Sequence, residues 1–162
     1  MSDVSVRPYE PSQKDAVATL ITSIQRGEFG IPITLADQPD LQDIPGFYRK
    51  GAGNFWVAFR DGAVVGTIAL IDIGEGQGAL RKMFVHPDHR GGKPGAAAVL
   101  LDTLLGWAKA KGLGEILLGT TDKFLAAHRF YAKNGFDEIP AATLPDRFPR
   151  MAVDSKFYRR RL

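Results

Sequence analysis

The sequence predicts an α/β fold built on one mixed sheet, mostly antiparallel with a parallel central crossover, in the element order β-α-α-β-β-β-α-β-α-β-β. Three observations carry that prediction. Short apolar, β-branched and aromatic runs alternate with stretches of helical period. Asp61-Gly62 joins two such runs as a two-residue hairpin turn, because both residue types accept positive φ. A long amphipathic stretch then separates the third run of this hairpin series from a fourth, which requires a right-handed parallel crossover. No Pro/Gly/Ser-rich linker divides the 162 residues, and a chain of this length buries about 70% of its unfolded surface. Residues 1–162 are therefore expected to form a single domain.

Taken in order, Val4 to Tyr9 is an opening strand. Pro11 to Gln25 places Ala16, Val17, Leu20, Ile21 and Ile24 on one helical face, with Ser12 as the expected N-cap. Pro32, Pro39 and Pro45 interrupt the next stretch, where only a short helix between Asp37 and Lys50 is expected. Asn54 to Arg60 and Ala63 to Ile73 are the hairpin strands, and a turn at Gly74 to Gly78 leads to a third strand, Ala79 to Val85. Gly95 to Lys111 carries Ala97, Leu100, Leu101, Leu104 and Ala108 on one stripe with Asp102, Thr103 and Lys109 opposite; Gly112 stops it. Glu115 to Gly119 is a short buried strand. Asp122 is the expected cap of a helix through Lys133 that ends at Asn134-Gly135. Phe136 to Ile139 and Met151 to Phe157 complete the chain as strands, with Pro140, Pro145 and Pro149 in the loop between them.

Composition narrows the chemistry. The absence of cysteine excludes disulfides, cysteine-ligated metals and a thiolate nucleophile. No run approaches the roughly 18 apolar residues of a membrane span, and the N-terminal MSDVSVRPYEPSQKD is too polar for a secretory signal, so a cytoplasmic protein with no membrane partner is expected. The net charge of +3 suits an anionic ligand without arguing for nucleic acid. Arg159, Arg160 and Arg161 read as a solvated basic end, and Phe157 and Tyr158 are too few for a base-stacking platform, so no nucleic-acid partner is expected. His86, His89 and His128 lie on a strand end, a loop and a separate helix without paired ligand spacing, so no metal site is expected.

The segment Phe84 to Ala96 stands where a strand ends and the longest helix begins. Its glycines let backbone approach a ligand, Pro94 near the first turn costs no hydrogen bond, and the unpaired amides of a helix start attract phosphate. Arg90 and Lys93 add two cations to that place. Neither the Walker A nor the dinucleotide fingerprint is present, so nucleotide hydrolysis and NAD binding drop away.

Val85-x-Pro87-x-x-Arg90-Gly91-Gly92-Lys93-x-Gly95, followed by Leu100-Leu101, and then Ala127-x-x-Phe130-Tyr131-x-Lys133-x-Gly135-Phe136, resemble the two signature segments of the GNAT superfamily of N-acetyltransferases. The motifs span roughly Leu80 to Phe136, and the element order extends the resemblance to nearly the whole chain. Lys93 stands where the family usually has its first loop glycine, and Phe124 where it often has an asparagine.

The resemblance implies a GNAT-like fold and direct transfer of an acetyl group from acetyl-CoA, a co-substrate with no metal, to a small-molecule or peptide amine. It assigns Met83, Phe84, Val85, Arg90, Gly91, Gly92, Lys93, Pro94, Gly95 and Ala96 to the acetyl-CoA site, with a backbone N–H of the Met83 to Val85 strand polarising the thioester carbonyl. Tyr131 is the implied general acid, and its ordinary pKa near 10 suits a departing alkyl thiolate. The strand Ala79 to Met83 has no carboxylate, so the general base stays open among Asp72, Glu75, Glu28, His86 and a water chain. The amine site is implied at Arg26 to Gly53 and Ala141 to Arg150, and Phe148 to Met151 could also line it. The last strand is a candidate surface for a homodimer. A non-catalytic acetyl-CoA-binding regulatory module is the alternative that keeps the same phosphate loop.

Overall fold

Alternation along the second strand already divides the molecule into layers. Phe55, Val57 and Phe59 are buried against the first helix, while Trp56 and Ala58 are buried against the longest one, as a period of two across a sheet requires. The computed structural model describes residues 3–91 and 95–162. Among these, seven strands form one sheet in the order β1-β2-β3-β4-β5-β7-β6. The strands are β1 (Ser5–Pro8), β2 (Asn54–Arg60), β3 (Ala63–Gly74), β4 (Gln77–Val85), β5 (Glu115–Thr120), β6 (Asp137–Ile139) and β7 (Lys156–Arg161). The helices are α1 (Lys14–Thr22), α2 (Ile44–Tyr48), α3 (Ala96–Ala110) and α4 (Leu125–Lys133).

One face of the sheet carries α3, whose Leu100, Leu101, Leu104 and Ala108 are buried with Ile68, Leu70, Ile116 and Leu118. Burying each such leucine stabilises the fold by about 1.5–3 kcal/mol. Tyr131 of α4 joins the same core. Val17 and Ile21 of α1 and Ile44 and Tyr48 of α2 cover the other face. Beside them the connection from β6 to β7 folds back, placing Phe148 against Ala79, Leu117 and Phe157.

The hairpin expected at Asp61-Gly62 is present, with φ of 54° and 79° at the two turn residues. Every strand pair is antiparallel except β4 with β5, the crossover that α3 spans. That parallel pairing covers only Gln77↔Glu115, Gly78↔Ile116 and Ala79↔Leu117. Past these residues the two strands part.

Their parting coincides with a bulge in β4. Ala69 faces Arg81 and Thr67 faces Phe84, so Lys82 and Met83 together oppose Ile68. Lys82 takes φ of 53°, and Thr67 Oγ1 donates to its carbonyl at 2.7 Å. The extra residue breaks the alternation. Leu80, Met83 and Val85 pack on the α3 side, whereas Arg81 and Lys82, adjacent in sequence, both reach partners on the opposite side.

Several local expectations are corrected. Ser12 does not cap the first helix: Pro11–Gln13 is a 3-10 turn, and the Glu10 N–H donates to Gln13 Oε1 at 3.0 Å. The helix then continues past Gln25 as a π turn over Ser23–Glu28. Asp122 does not cap α4, which has Phe124 at its N-cap; the Asp122 N–H donates to Ser155 Oγ instead. The last strand begins at Lys156 rather than Met151, because Met151 to Asp154 closes a turn. Consequently Arg159–Arg161 are not a solvated tail. They pair with Glu115–Leu117, and Phe157 and Tyr158 are buried. Between Phe157 and Arg159, β7 is flanked by β5 and β6, so its edges are taken there and the last strand offers no free edge to a second copy over those residues.

A Cβ on Gly62 would meet nothing within 4 Å, so Gly62→Ala isolates the backbone cost of its positive φ. The variant is expected to lose about 1–2 kcal/mol in urea unfolding with an unchanged m-value. Wild-type stability for this variant would contradict the turn geometry.

Candidate active site

The separation of β4 from β5 opens two adjoining cavities. The larger, about 520 Å³, lies between the Met83 to Val85 end of β4, Arg90, Gly91 and Ala97 at the approach to α3, and the segment Lys123 to Tyr131. Ile24, Glu28 and Phe29 close its outer side. The smaller, about 100 Å³, lies between Leu80 to Phe84 on β4 and Gly119 and Thr120 of β5 with Thr121 just beyond, and Met151, Val153 and Asp154 from the loop before β7. Met83, Phe84, Phe124, Ala127 and Tyr131 border both. The two spaces therefore meet at the bulge and at Tyr131.

At one end of the larger cavity, α3 starts from Gly95 in extended conformation with no side-chain cap, so among the described residues no N-cap side chain accepts from its first amides. Gly91 has φ of 85°, a conformation that favours glycine. Arg90 is anchored by its Nε to the Val85 carbonyl at 2.9 Å, and its two terminal nitrogens clasp Glu28 at 2.5 and 2.6 Å. That bidentate pair holds a guanidinium beside the helix start. Ala96 is buried in the first turn of α3. Of the expected residues, Met83, Phe84, Val85, Arg90 and Gly91 line the larger cavity, Gly95 and Ala96 stand at the start of α3 without lining it, and Gly92, Lys93 and Pro94 lie outside the described residues.

Phe124 forms an aromatic wall with Phe29 and Phe84, at centroid distances of 4.7 and 6.3 Å. Where the family often has an asparagine, this chain presents an apolar aromatic surface to the cavity. Tyr131 is buried in van der Waals company with Phe136 and Tyr158. Burial, reinforced by Tyr158, pushes its hydroxyl far above the ordinary phenol value. The match of proton affinities expected from a phenol near 10 does not hold in this environment. Burial instead keeps the hydroxyl in its protonated form.

The bulge is held from the α1–α2 side by a buried polar cluster. Lys82 Nζ donates to Gln38 Oε1 and lies 3.5 Å from Asp40 Oδ2, both side chains being almost fully buried. Gln25 and Gln38 exchange amide hydrogen bonds of 2.9 and 3.1 Å, and Tyr48 donates to Asp40. Burial lowers the Lys82 pKa, and Asp40 opposes that shift. Burial and Asp40 push the Tyr48 hydroxyl well up.

The side chains left open as general base have these surroundings. Glu28 pairs with Arg90 on the donor side, and Asp72 accepts from Ala52 and Gly74 amides at a turn. Glu75 is in the β3–β4 turn with φ of 57°, and His86 Nδ1 accepts from the Asp88 amide. His89 meets Arg60, and His128 meets the Thr121 carbonyl. Among the described residues no group of three or more His, Asp or Glu converges on a metal position. Two residues that sequence reasoning passed over, Arg81 and Asp154, border the smaller cavity. Asp154 was hidden by reading Met151 to Phe157 as strand. Ser155 beside it, and the three prolines of the preceding loop, are turn signals that pointed the other way.

Removing one member of the Lys82–Asp40 pair strands the other charge in the interior. Asp40→Ala is expected to cost about 3–5 kcal/mol, and the double variant Asp40→Leu/Lys82→Met clearly less, by urea unfolding. Equal losses would deny the pairing. The folded pKa of Tyr131 lies above its unfolded value of 10.0, so its contribution is complete below that pH and lost as pH rises beyond it. Lys82, shifted down, acts with the opposite sign: stability rises with pH between its folded value and 10.5. Tyr131→Phe is therefore expected to flatten the fall in stability above about pH 10. An unaltered alkaline slope would contradict the burial of the hydroxyl.

Comparison with known proteins bears on this arrangement. A family model described as the acetyltransferase (GNAT) family matches residues 19–136. The IAA acetyltransferase of Azospirillum brasilense is 36% identical over 139 residues, covering 84% of this chain and 86% of its own. N-acetylaspartate synthetase of Xenopus tropicalis is 37% identical over 102 residues, 62% of this chain; the match spans 37% of that relative's length. An acetyltransferase of the GNAT family from Staphylococcus aureus superimposes with a TM-score of 0.94 at 40% identity, covering 98% of this chain and 99% of the other. N-acetylglutamate synthase from Neisseria gonorrhoeae, complexed with coenzyme A and N-acetyl-glutamate, shares the fold at a TM-score of 0.77 and 20% identity, over 100% of this chain and 36% of that one. A match across most of the chain, on a sheet that parts where the motifs meet, makes this protein a member of the GNAT family of acetyltransferases.

Proposed function

We propose that this acetyltransferase moves the acetyl group of acetyl-CoA onto a primary amine by direct attack on the thioester. One observation carries the reading: Tyr131, the β4 bulge and the two cavities meet at a single place, with an uncapped helix start and a guanidinium at the far end of the larger cavity. The residues fit the carrier. The helix start and Arg90 would hold its diphosphate, and the aromatic wall of Phe29, Phe84 and Phe124 would cover its alkyl arm. When bound, acetyl-CoA supplies an acyl group activated as a thioester.

The chain's own residues do the rest. Backbone amides of the bulged Met83 to Val85 stretch polarise the carbonyl oxygen, and their placement by the sheet means no reorganisation is needed as charge develops. Tyr131 donates a hydrogen bond to the departing sulfur. Because burial keeps the hydroxyl protonated, this donor is present at any pH at which the protein works. Arg90 must release Glu28 to reach a phosphate, so the clasp orients the guanidinium until the ligand replaces it.

The reading is tested by following free thiol from acetyl-CoA over a panel of primary amines, together with calorimetric titration of CoA. Tyr131→Phe is expected to lower kcat by about 10²-fold with the affinity for CoA retained. Arg90→Gln is expected to weaken CoA binding by about tenfold or more. CoA binding without thiol release for any amine would show a binding module instead. Undiminished turnover by Tyr131→Phe would remove that residue from the reaction.

A further inference from the structure

The smaller cavity holds two charges that the transfer chemistry described so far does not use. The bulge sends Arg81 and Lys82 to the same side of the sheet, but their fates differ. Lys82 is neutralised by Asp40 and Gln38 in the interior. Arg81, half-buried at the cavity wall, directs Nη2 at the thioether of Met151 at 2.8 Å, a weak acceptor for a guanidinium with five donors. Across the cavity the Met151 N–H donates to Asp154 Oδ2 at 2.8 Å, so one residue fixes both groups. The Asp154 carboxylate lies over Gly119 of β5, where a Cβ would come within 2.6 Å of Oδ2. A side chain at that position would displace it.

We propose that the acceptor is a small amine that also bears a carboxylate, and that Arg81 holds the carboxylate while Asp154 receives the ammonium group and takes its proton. The inference rests on the acetyl-transfer reading and names its substrate class. A cavity of about 100 Å³ has room for a few heavy atoms, given about 30 Å³ for each water of the liquid, so the part of the acceptor held there is small. Its lining carries both signs of charge, in Arg81 and Asp154, which a zwitterion complements and a simple amine does not. Burial raises the Asp154 carboxyl pKa against the opposing pull of the Met151 N–H, Arg81 and Arg150, making it a stronger proton acceptor than an exposed aspartate.

The step balances. Asp154 takes one proton from the ammonium, and the freed nitrogen pair forms the C–N bond to the carbonyl carbon. The C–S bond breaks with its pair on sulfur, which takes up the second nitrogen proton as free thiol. Asp154 returns its proton to water.

The test is thiol release from acetyl-CoA with the proteinogenic L-amino acids, each compared with its own carboxamide. The best amino acid is expected to exceed its amide by about tenfold or more in kcat/KM. Arg81→Gln is expected to raise KM for the acid and erase that ratio. Asp154→Asn is expected to lower kcat by about 10²-fold while calorimetry shows the acetyl-CoA affinity unchanged. The wild-type comparison needs no variant to fold. Amides or carboxylate-free amines used as well as the acids would overturn the proposal, as would a ratio unaffected by Arg81→Gln. Thiol release from amines but from no amino acid overturns it while leaving acetyl transfer standing; failure to bind acetyl-CoA overturns the transfer reading itself.

Discussion

Lys82 sits in a left-handed backbone conformation that costs an L-residue roughly 1–2 kcal/mol, and the active-site architecture depends on its being kept there. Three restraints oppose relaxation. Thr67 bonds its carbonyl from the neighbouring strand, its ammonium is held by Gln38 and Asp40, and Met83 beyond it is packed under α3. With the bulge in place, β4 resumes its alternation one residue out of step and diverges from β5. The cleft, the backbone that faces it and the cation pair on one side all follow from that single extra residue.

The cluster around Lys82 also joins parts of the chain that apolar packing would leave loosely registered. Helices α1 and α2 cover their face of the sheet with aliphatic and aromatic side chains, which tolerate sliding. The amide pair of Gln25 with Gln38 does not, because its donors and acceptors match in one arrangement. The π turn that ends α1 serves both ends of the cleft. Gln25 turns inward to the bulge cluster, and Glu28, three residues on, reaches Arg90 beside the start of α3. One irregular segment thereby ties the bulge cluster to Arg90.

Much of this was visible in local pattern. The hairpin at Asp61-Gly62, the stripe of α3 and the stop at Gly112 come from residues within a few positions of one another, and the structure reproduces each. The spacing from Val85 to Phe136 pointed to the GNAT family, which the family match over residues 19–136 shows. Errors arose where the partner was distant. Arg159 to Arg161 look like a solvated end until β5 pairs with all three and β6 with Arg159, and Asp154 looks like a strand residue until Met151 folds back onto it.

Residue order alone specified the kinds of element, their sequence and the phosphate-seeking turn, since periodicity and turn chemistry are short-range properties. Packing chose what lies across the cleft. A left-handed lysine, a tyrosine whose acidity is suppressed by its neighbours, and an arginine and aspartate brought together from positions 81 and 154 each depend on contacts between segments far apart in the chain. Burial and charge at such points are set by what the other strands deliver, and no local window contains that information.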